Sequence, residues 1–509
     1  MSTALPKARF GICVLLPGSL ALSSPEGTIY LDLARRLASS GRSVTLLQAG
    51  DLGQSILPDS DGAESSRLRR LALREPKTPS IEGHWSGHAR ESYLAFLWLR
   101  EREAEFGLVY FPARSGIGYF AAVAKRQGLA FAGTVLVAGE CSSEEEPGDL
   151  DGLERIFLER ESALRADAVL PAGDDGLLRL LEQQPPEAAA EALSEEPAPL
   201  VTVCLVHHDR PRLLAQALDS LRGQKYPHFE VILADSGSER PEALAFVDGL
   251  EGEFSQRGWR ILRLENRGPG AARNRAAREA RGEFLFFMDD DNVALPEEFS
   301  CFVQVSRRTS ADIVTCAQAV FHGEEPPPLD RPPDRVCVFP GAFLPVALFR
   351  DCFGDTNALI RREVFTSLGG FSEDDNFATE DWELFIRARL AGFQLEAIPL
   401  PLFFYRVQPE SRFRTTCPEA NRRAIRRPYR EYLPPDLHGL LSLVQGQALR
   451  IEALETEVRS LSAALASPAP LPVSTKRSGP LREIERTVRK ARKALFRRTA
   501  GAKPASPYP

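Results

Sequence analysis

The chain has 509 residues, with 63 Lys and Arg against 70 Asp and Glu, so its formal net charge is −7. This balance argues against a nucleic-acid-binding protein, since such domains carry a basic excess. Hydrophobic residues make up 43% of the chain, and at about 100–200 residues per domain the length predicts two to four domains. No stretch of about 18 apolar residues occurs, so a membrane span is not expected.

Residues 8–183 have the pattern of a Rossmann-like, open α/β domain. The apolar run 9–16 predicts a strand buried on both faces, 28–41 has helical spacing and ends in glycine, and 43–50 predicts the next strand. A strand–helix–strand unit of this length implies a parallel, right-handed crossover. Further elements alternate along the chain, with strands predicted within 107–113, 132–140 and 168–183 and helices within 118–128, 153–167 and 168–183.

Two histidines in this region, His84 and His88, are four residues apart, a spacing that binds a metal when both lie on a helix. Gly83 and Gly87 instead favour a loop. The preferred interpretation is therefore a loop without a metal.

Residues 184–198 are rich in Pro, Ala and Glu and can bury little, which predicts a semi-rigid linker and a domain boundary. Residues 199–430 then repeat the alternation of buried strands and helices. The predicted elements are strands within 199–209, 229–238, 259–266 and 283–292 and helices within 213–224, 241–250, 267–282 and 376–395. The fold class is therefore α/β in both domains.

The apolar run 284–288 ends abruptly in three carboxylates, Asp289, Asp290 and Asp291. In an open parallel sheet, ligands bind beyond the carboxyl ends of the strands. Because side chains alternate along an extended chain, Asp289 and Asp291 are expected to point the same way. Two such carboxylates suit Mg²⁺ or Mn²⁺, which takes the rest of its ligands from water and substrate phosphates. The competing interpretation is a solvated acidic turn.

The glycine-rich stretch before this strand favours a phosphate ligand. Gly268 and Gly270 permit close backbone approach, and the following helix presents free N–H groups at its start. Arg273 and Arg275 add positive charge near the same end.

Two other strand ends carry candidate contacts to a nucleobase. Asp235 ends one buried strand, and its carboxylate can accept a hydrogen bond from a ring N–H. His207 and His208 end another strand, and a flat imidazole there can stack on a base. For either histidine, a surface position or a hydrogen-bonded loop position is the alternative.

Glu380 and Asp381 precede an amphipathic helix whose apolar face includes Trp382, Phe385 and Ile386. Acidic residues at a helix start often only complement the helix dipole. The functional interpretation is a general base that takes the proton from an attacking sugar hydroxyl, with nearby negative charge raising its basicity.

Taken together, these motifs resemble family 2 glycosyltransferases of the GT-A fold, in the order and spacing of that family. The resemblance covers residues 199–412, through the stretches 201–238, 265–296, 360–374, 378–393 and 403–412. It implies inverting, metal-dependent transfer of a hexosyl-type sugar from a nucleotide-diphospho-sugar, with uracil as the commonest base.

The resemblance assigns roles residue by residue. Asp289 and Asp291 correspond to the metal ligands of the D-x-D element, and Asp381, with Glu380 beside it, corresponds to the catalytic base. The implied donor-binding residues are His208, Asp235, Arg273, Asn274 and Asp290. Val206 and Asn292 depart from the residues usual in the family at those positions. Membrane-embedded synthases that resemble the family carry a Q-x-x-R-W motif, which this chain lacks.

The Pro-rich stretch 322–356 lies between the metal motif and the base. Acceptor contacts and a mobile lid are expected there, with Asp355 as a candidate acceptor contact.

Residues 8–183 resemble the N-terminal, acceptor-side half of family 4 (GT-B) glycosyltransferases. The stretches that carry this resemblance are 31–50, 107–129 and 159–171. The matching donor-binding half is absent from the sequence, which predicts a binding, docking or vestigial domain.

Beyond the second domain, residues 437–466 carry apolar residues at alternating steps of three and four. This spacing predicts a short coiled-coil helix and makes a homodimer plausible. The tail 467–509 is expected to be basic and partly disordered. Within it, 481–498 predicts a basic amphipathic helix, for which peripheral contact with an anionic inner membrane and a solvated tail are alternatives.

The overall prediction is a cytoplasmic glycosyltransferase that acts on a glycan or another hydroxyl acceptor in cell-surface polysaccharide biosynthesis. The alternative is a catalytically inactive glycan-binding or scaffold protein of such a pathway. The complete set of Asp289, Asp291 and Asp381 favours the enzyme.

Overall fold

A computed structural model describes most of the chain up to residue 447. The described residues are 11–49, 67–73, 80–82, 85–140, 147–171, 176–177, 197–329, 333, 335–408, 412–447, 450 and 454. Most of the predicted linker 184–198, most of the predicted coiled-coil residues beyond 447, the tail 467–509 and His84 lie outside them. Residues 438–447, 450 and 454 are helical.

The N-terminal half forms an open sheet that is parallel throughout its described part, as predicted. The strands of this half are β1 (Gly11–Leu16), β2 (Ser43–Ala49), β3 (Leu68–Leu73), β4 (Ser80–Glu82), β5 (Phe106–Pro112), β6 (Val135–Gly139) and β7 (Ala168–Leu170). They are ordered β3-β2-β1-β5-β6-β7 in the sheet, whereas β4 belongs to the second sheet. The helices are α1 (Pro25–Ser39), α2 (Gly87–Glu101), α3 (Tyr119–Arg126) and α4 (Leu150–Arg165).

Local sequence explains most of these elements. β1 is buried because its apolar side chains face helices on one side of the sheet or the other. Ser24 caps α1 by accepting from the Gly27 N–H at 3.0 Å. The loop predicted around His88 is wrong, since Ser86 caps α2 and Gly87 is its first residue.

The second sheet has ten strands in the described part of the chain, ordered β10-β9-β8-β11-β15-β13-β14-β4, with β16 beside β13 and β12. Its remaining strands are β8 (Val201–His207), β9 (Phe229–Ser236), β10 (Arg260–Leu264), β11 (Phe284–Asp289), β12 (Val293–Ala294), β13 (Ile313–His322), β14 (Arg335–Cys337), β15 (Leu359–Arg361) and β16 (Leu395–Val407). The four strands β8 to β11 are parallel to one another, and β15 runs antiparallel to β11. The fold class is therefore α/β in both sheets, as predicted.

Helices flank this second sheet along the chain. They are α5 (Pro211–Arg222), α6 (Pro241–Gly249), α7 (Glu251–Arg257), α8 (Pro269–Glu279), α9 (Glu298–Thr309), α10 (Leu344–Ala347), α11 (Arg362–Ser367), α12 (Glu380–Leu390), α13 (Arg412–Thr415) and α14 (Pro418–Tyr432).

The register of the parallel strands positions the candidate site. Asp289 at the end of β11 lies opposite Val206 of β8, and His207 lies opposite Asp235 of β9. The three strands therefore end at one edge, where parallel sheets bind ligands.

The two sheets belong to one compact unit, Met1–Gln445, and Gly446–Pro509 forms a second unit. Within the first unit, β4 of the N-terminal half pairs in parallel with β14 and so extends the second sheet. One apolar cluster also joins the halves, because it contains Phe96 and Phe120 as well as Phe286 and Phe403. No helix among the described residues is long and apolar enough to span a membrane.

Candidate active site

A cleft of about 780 Å³ opens at the carboxyl edge of β8, β9 and β11. Most of the residues predicted for the site lie along its wall. They are His208, Arg273, Asp289, Asp291, Asp355, Glu380 and Asp381. Three others, Asp235, Asn274 and Asp290, lie behind that wall.

Of the Asp289–Asp291 triplet, only Asp289 lies on β11. Asp290 and Asp291 lie in a turn in which the Asn292 N–H donates to the Asp289 carbonyl at 3.2 Å, so the predicted extended conformation ends at Asp289. Asp289 and Asp291 face the cleft. Asp290 is fully buried, and its Oδ2 is hydrogen-bonded to Nδ1 of the equally buried His207 at 2.6 Å. Asp290 is thus part of the support of the cleft rather than of its surface.

Arg210 joins two members of the triplet. Its Nη1 donates to Asp291 Oδ2 at 2.9 Å, and its Nη2 donates to Asp290 Oδ1. Burial raises the pKa of Asp291 to about 6; Arg210 opposes this shift, and the charges of Asp290 and Asp289 add to it.

Arg273 connects the triplet to the start of α12. Its side chain is only 4% exposed, and it donates from Nη2 to Asp289 Oδ1 at 2.7 Å and from Nη1 to Glu380 Oε1 at 2.8 Å. Both carboxylates raise the pKa of Arg273 against the effect of its burial. A buried arginine therefore holds residues 91 positions apart in sequence at one place.

Asp381 is held by neutral donors. Its Oδ1 accepts from the Trp382 N–H at 2.7 Å, and its Oδ2 accepts from the Thr356 hydroxyl at 2.9 Å. Burial, and next the charge of Glu380, raise the pKa of Asp381 to about 6, while the two hydrogen bonds and Arg273 lower it. The group is therefore ionised at neutral pH and still basic enough to accept a proton.

Two more carboxyl groups lie beside Asp381. Asp355 accepts from Gln318 Nε2 and from the Asn357 N–H, both at 3.0 Å, and burial together with the charge of Asp381 raises its pKa to about 8. Asp351 accepts from the Phe353 N–H at 3.0 Å, and burial, followed by Asp381, raises its pKa well above the ordinary value.

The carboxylates around the cleft therefore form two sets. The arginine-paired carboxylates each contact Arg210 or Arg273, and they are Asp289, Asp290, Asp291 and Glu380. The arginine-free carboxylates have no ion pair with Arg or Lys within the described ranges, and they are Asp351, Asp355 and Asp381.

The side-chain amide of Asn274 is hydrogen-bonded within the protein. Its Nδ2 donates to the Phe371 carbonyl at 2.9 Å and to Glu373 Oε1 at 3.0 Å, and its Oδ1 accepts from the Phe371 N–H at 2.9 Å. Gly370 makes this approach possible, since its φ is +80° and an added Cβ would lie 2.5 Å from Asn274 Oδ1.

The two residues predicted to contact a base lie at the ends of β8 and β9. Asp235 is buried, and its Oδ1 accepts from the Ser238 N–H at 3.1 Å. His208 lines the cleft, with Nδ1 hydrogen-bonded to the Ser236 carbonyl at 3.0 Å and with its side chain partly exposed.

Sequence reasoning missed the partners that fix the carboxylates, namely His207 as a support of Asp290, Arg210 and Thr356. A signal for Arg210 exists, since it follows the β8 strand end within three residues and so must lie near the same edge. Thr356 carries no comparable local signal.

The donor set fits a divalent cation in part. Asp289 and Asp291 each give one oxygen to an arginine, which leaves the second oxygen of each without an arginine partner in the described part of the protein. No group of three or more His, Cys, Asp or Glu side chains among the described residues could hold a metal. The protein would therefore supply two ligands, and a Mg²⁺ or Mn²⁺ ion commonly takes the others from water and phosphate oxygens.

Comparison with known proteins gives partial matches. Residues 202–369 match the model of the family described as glycosyl transferase family 2. The O-antigen biosynthesis protein RfbC of Myxococcus xanthus is 30% identical over 257 residues, which cover 47% of this chain and 20% of RfbC. The GalNAc(5)-diNAcBac-PP-undecaprenol beta-1,3-glucosyltransferase of Campylobacter jejuni is 25% identical over 115 residues, which cover 23% of this chain and 37% of that enzyme.

Among solved structures, the mannosyltransferase PcManGT from Pyrobaculum calidifontis, in complex with GDP-Man and Mn²⁺, is similar with a TM-score of 0.37 and 21% identity. The match covers 60% of this chain and 83% of that one. The chain thus spans only 20% of the length of RfbC and 37% of that of the glucosyltransferase.

Proposed function

We propose that this chain, which carries a glycosyl transferase family 2 domain over residues 202–369, is an inverting glycosyltransferase of the hexosyltransferase type. It would move a sugar from a nucleotide-diphospho-sugar to a hydroxyl group of a glycan or another acceptor in cell-surface polysaccharide biosynthesis. A UDP-sugar is the first donor to test, because uracil is the commonest base in the family that the sequence resembles.

One observation carries the proposal. Arg273 of α8 and, shortly after it in sequence, Asp289 and Asp291 at and after the end of β11 line a single cleft. Asp381 of α12, which follows only after β12 to β15, lines the same cleft. This combination puts carboxylates for a cation, a buried positive charge and a proton acceptor within reach of one bound molecule.

Asp381 is the proposed general base. The Trp382 N–H and the Thr356 hydroxyl fix both of its oxygens in place. When the acceptor hydroxyl attacks the anomeric carbon from the side opposite the leaving diphosphate, Asp381 takes its proton and the configuration inverts. Glu380, next to it, raises the basicity of Asp381 and holds Arg273.

Three of the arginine-paired carboxylates, Asp289, Asp290 and Asp291, mark the proposed donor end of the cleft. Asp289 and Asp291 would hold the metal, and a bound Mg²⁺ or Mn²⁺ would stabilise the negative charge of the diphosphate leaving group. His208 lies on the same wall, where its ring can contact the base. Asp235 and Asn274 lie behind that wall, so their proposed effect on the donor passes through the β9 end and the 370–373 loop.

The arginine-free carboxylates mark the proposed acceptor end. Asp355 and Asp351 line the cleft beside Phe339, Tyr405 and Trp382. Carboxyl oxygens next to aromatic side chains can accept from sugar hydroxyls and pack against sugar rings, which suits a carbohydrate acceptor.

A panel of nucleotide sugars, with and without Mn²⁺, tests the proposal by thermal shift and by product analysis. A ligand at 100 times its Kd stabilises the folded state by about 2.7 kcal/mol, a shift that is easily measured. Asp291→Ala should abolish transfer and remove the part of the UDP shift that depends on Mn²⁺, while the apoprotein keeps its melting temperature.

The outcome that contradicts the proposal is equally specific. If UDP, GDP and their sugars give no shift and no turnover in the presence of Mn²⁺, the glycan-binding or scaffold function replaces the enzyme. A shift with Asp291→Ala equal to that of the wild type would remove the metal role from this residue.

The homodimer and the membrane contact stay predictions. The described helical residues Leu440, Leu443, Val444 and Leu454 are exposed, and Leu440 precedes Val444 by four positions, one of the two steps of the predicted seam. The segment 481–498, on which peripheral association with the cytoplasmic face of a membrane depends, lies outside the described residues.

A further inference from the structure

We propose that the N-terminal half of the chain holds the acceptor wall of the cleft, residues 335–357, in position, and that Tyr119 and Phe157 are the positioning residues. The role of this wall in acceptor binding rests on the proposed function, whereas the contacts that hold the wall do not depend on that function.

The acceptor wall supplies much of one side of the cleft. It contributes Phe339, Asp351, Asp355 and Thr356 to the lining. Thr356 also donates to Asp381 at 2.9 Å. A displacement of this wall would therefore move both the proposed acceptor contacts and the partner of the proposed base.

The first anchor is a strand. β14, at the start of the acceptor wall, pairs on one side with β13 of its own half and on the other with β4 of the N-terminal half. The three-residue β14 thus has β4 as its outer neighbour. A strand pair this short is weak alone, so its register depends on the contacts that follow it.

The second anchor is a pair of aromatic side chains. The Tyr119 hydroxyl, at the start of α3, donates to the Pro340 carbonyl, and Tyr119 is almost fully buried. Phe157 of α4 stacks on Phe343 with ring centroids 4.4 Å apart and an interplanar angle of 13°. The Tyr119 and Phe157 rings are also in contact, at 5.8 Å, so they act on the wall together.

These aromatic contacts reach the cleft through a tight turn. Gly341 lies between Pro340 and Phe343 with a φ of +95°, and its N–H donates to the Cys352 carbonyl at 2.8 Å. Cys352 directly follows Asp351, a lining residue. The aromatic pair is therefore one turn and one hydrogen bond away from the cleft surface.

The third anchor is an ion pair of Arg350, the residue next to Asp351. Arg350, which precedes Asp351, donates to Asp151 Oδ1 of α4 at 3.0 Å and lies 3.9 Å from Glu154 Oε2. Glu154 is fully buried and accepts from the Ser86 hydroxyl at 2.7 Å. Both sides of the acceptor wall are thus attached to α3, α4 or β4 of the N-terminal half.

The second half also contacts the wall. The Trp382 indole donates to the Ala347 carbonyl and the Tyr429 hydroxyl donates to the Leu344 carbonyl, both at 2.8 Å. Loss of the N-terminal contacts should therefore shift and loosen the wall without unfolding the domain.

The test compares Tyr119→Phe and Phe157→Leu in the full chain with Phe96→Leu. Phe96 is fully buried in α2, and its ring contacts are with Tyr93 and Phe131 of the N-terminal half, so its variant removes core packing without removing a ring contact to the wall. We expect both wall variants to raise amide hydrogen exchange across 338–356 about tenfold, with β8 and β11 unchanged, because local opening follows the lost contacts.

Two functional readouts accompany the exchange measurement. The thermal shift given by UDP with Mn²⁺ should match that of the wild type. Transfer from the donor identified by the panel to p-nitrophenyl glycosides should show an acceptor KM raised about tenfold, as expected when a positioned wall is displaced.

Unchanged exchange in both wall variants, or an equal increase in Phe96→Leu, overturns the inference. An unchanged acceptor KM in variants whose wall exchanges faster overturns its functional part. Failure of the proposed function looks different, because the wild type itself would then show no shift with UDP and Mn²⁺ while the exchange result still decides the anchoring.

Discussion

The two sets of carboxyl groups around the cleft are held by different means. The arginine-paired carboxylates, three of which form the proposed donor end, share the guanidinium groups of Arg210 and Arg273. The arginine-free carboxylates of the proposed acceptor end accept only from hydroxyl, amide and backbone N–H donors in the described part of the chain.

This difference suits the charge of what each end would bind. A diphosphate and its cation bring charges that must be balanced, and arginines can exchange partners with them. A neutral sugar hydroxyl instead needs a base that is not neutralised, and a carboxylate without an ion pair keeps its basicity. The same residue type, Asp, thus has two kinds of partner in one cleft, an arginine or a neutral donor.

The largest effect is expected at Asp381. Asp381→Asn should lower transfer by a factor on the order of 10³ or more, since the proposed proton acceptor is lost. The thermal shift with UDP and Mn²⁺ should persist because Asp381 lies at the other end. Steady-state kinetics and melting curves measure both.

Asp351→Asn is the matched control, since Asp351 is also arginine-free and lines the cleft. Because Asp351 is a proposed acceptor contact and not the proposed base, this variant should keep most of its kcat and raise only the acceptor KM. Turnover of Asp381→Asn like that of the wild type would refute the assignment and remove the contrast between the two ends.

The next largest effect is expected on the free energy of unfolding when the buried Arg273 is replaced. Arg273→Met should lower the free energy of unfolding by about 3–5 kcal/mol, because it leaves Asp289 and Glu380 without their buried partner. Arg412→Met is the control, since Arg412 is 38% exposed and lies 3.5 Å from the same Glu380; an exposed pair contributes about 0–1 kcal/mol. Urea denaturation of the two variants measures the difference.

If both variants lost the same stability, the distinction between a buried and an exposed arginine at this site would fail. A compact Arg273→Met protein that still binds UDP with Mn²⁺ as tightly as the wild type would show that Arg273 supports the structure alone.

Much of the donor end could be predicted from the sequence. Strongly apolar strands ending in Asp235, His207 and Asp289 predict one common edge, because parallel strands place their carboxyl ends together. Asp289 and Asp291 both line the cleft as expected, but a turn at 290–291 and not an extended chain places them there. These are local signals combined with one topological rule.

The rest depended on contacts that no local pattern encodes. β4 is three residues long and pairs with a strand about 250 residues later. Tyr119 reaches a backbone carbonyl 221 positions away. Asn274 matches a family motif, yet its amide is taken by the 370–373 loop, since the backbone at Gly370 brings Phe371 against it.

The pH dependence of transfer sharpens the comparison further. Burial raises the pKa of Asp381 and of Asp291 to about 6, so both lose their charge as the pH falls through that value. We expect kcat/KM to decrease below about pH 6 and to be level between pH 7 and 8. A rate profile from pH 4.5 to 8 measures this.

Thr356→Val tests whether protonation of Asp381 causes the decrease in kcat/KM at low pH. The Thr356 hydroxyl lowers the pKa of Asp381 by donating to it, so its removal should move this decrease to higher pH. Thr356 makes no hydrogen bond to Asp291, so a decrease caused by protonation of Asp291 would stay at the same pH in this variant. A pH profile unchanged by Thr356→Val would therefore assign the decrease to Asp291.

The smallest expected effect concerns Asp355 and the stability of the acceptor end. Its pKa is raised from the ordinary 3.8 to about 8, so the folded state binds this proton more tightly than the unfolded state does. The stabilisation of the folded state by this bound proton is complete below about pH 4 and is lost as the pH rises through about 8.

The Asp355→Asn side chain stays neutral at every pH, so this variant keeps its stability when the wild type ionises. It should melt about 2–4 °C above the wild type at pH 9 but not at pH 4.5. The exposed Asp248→Asn is the control and should melt with the wild type at both values. Equal melting of Asp355→Asn and wild type at pH 9 would mean that Asp355 is charged at little cost, and the acceptor end would then be as well compensated as the donor end.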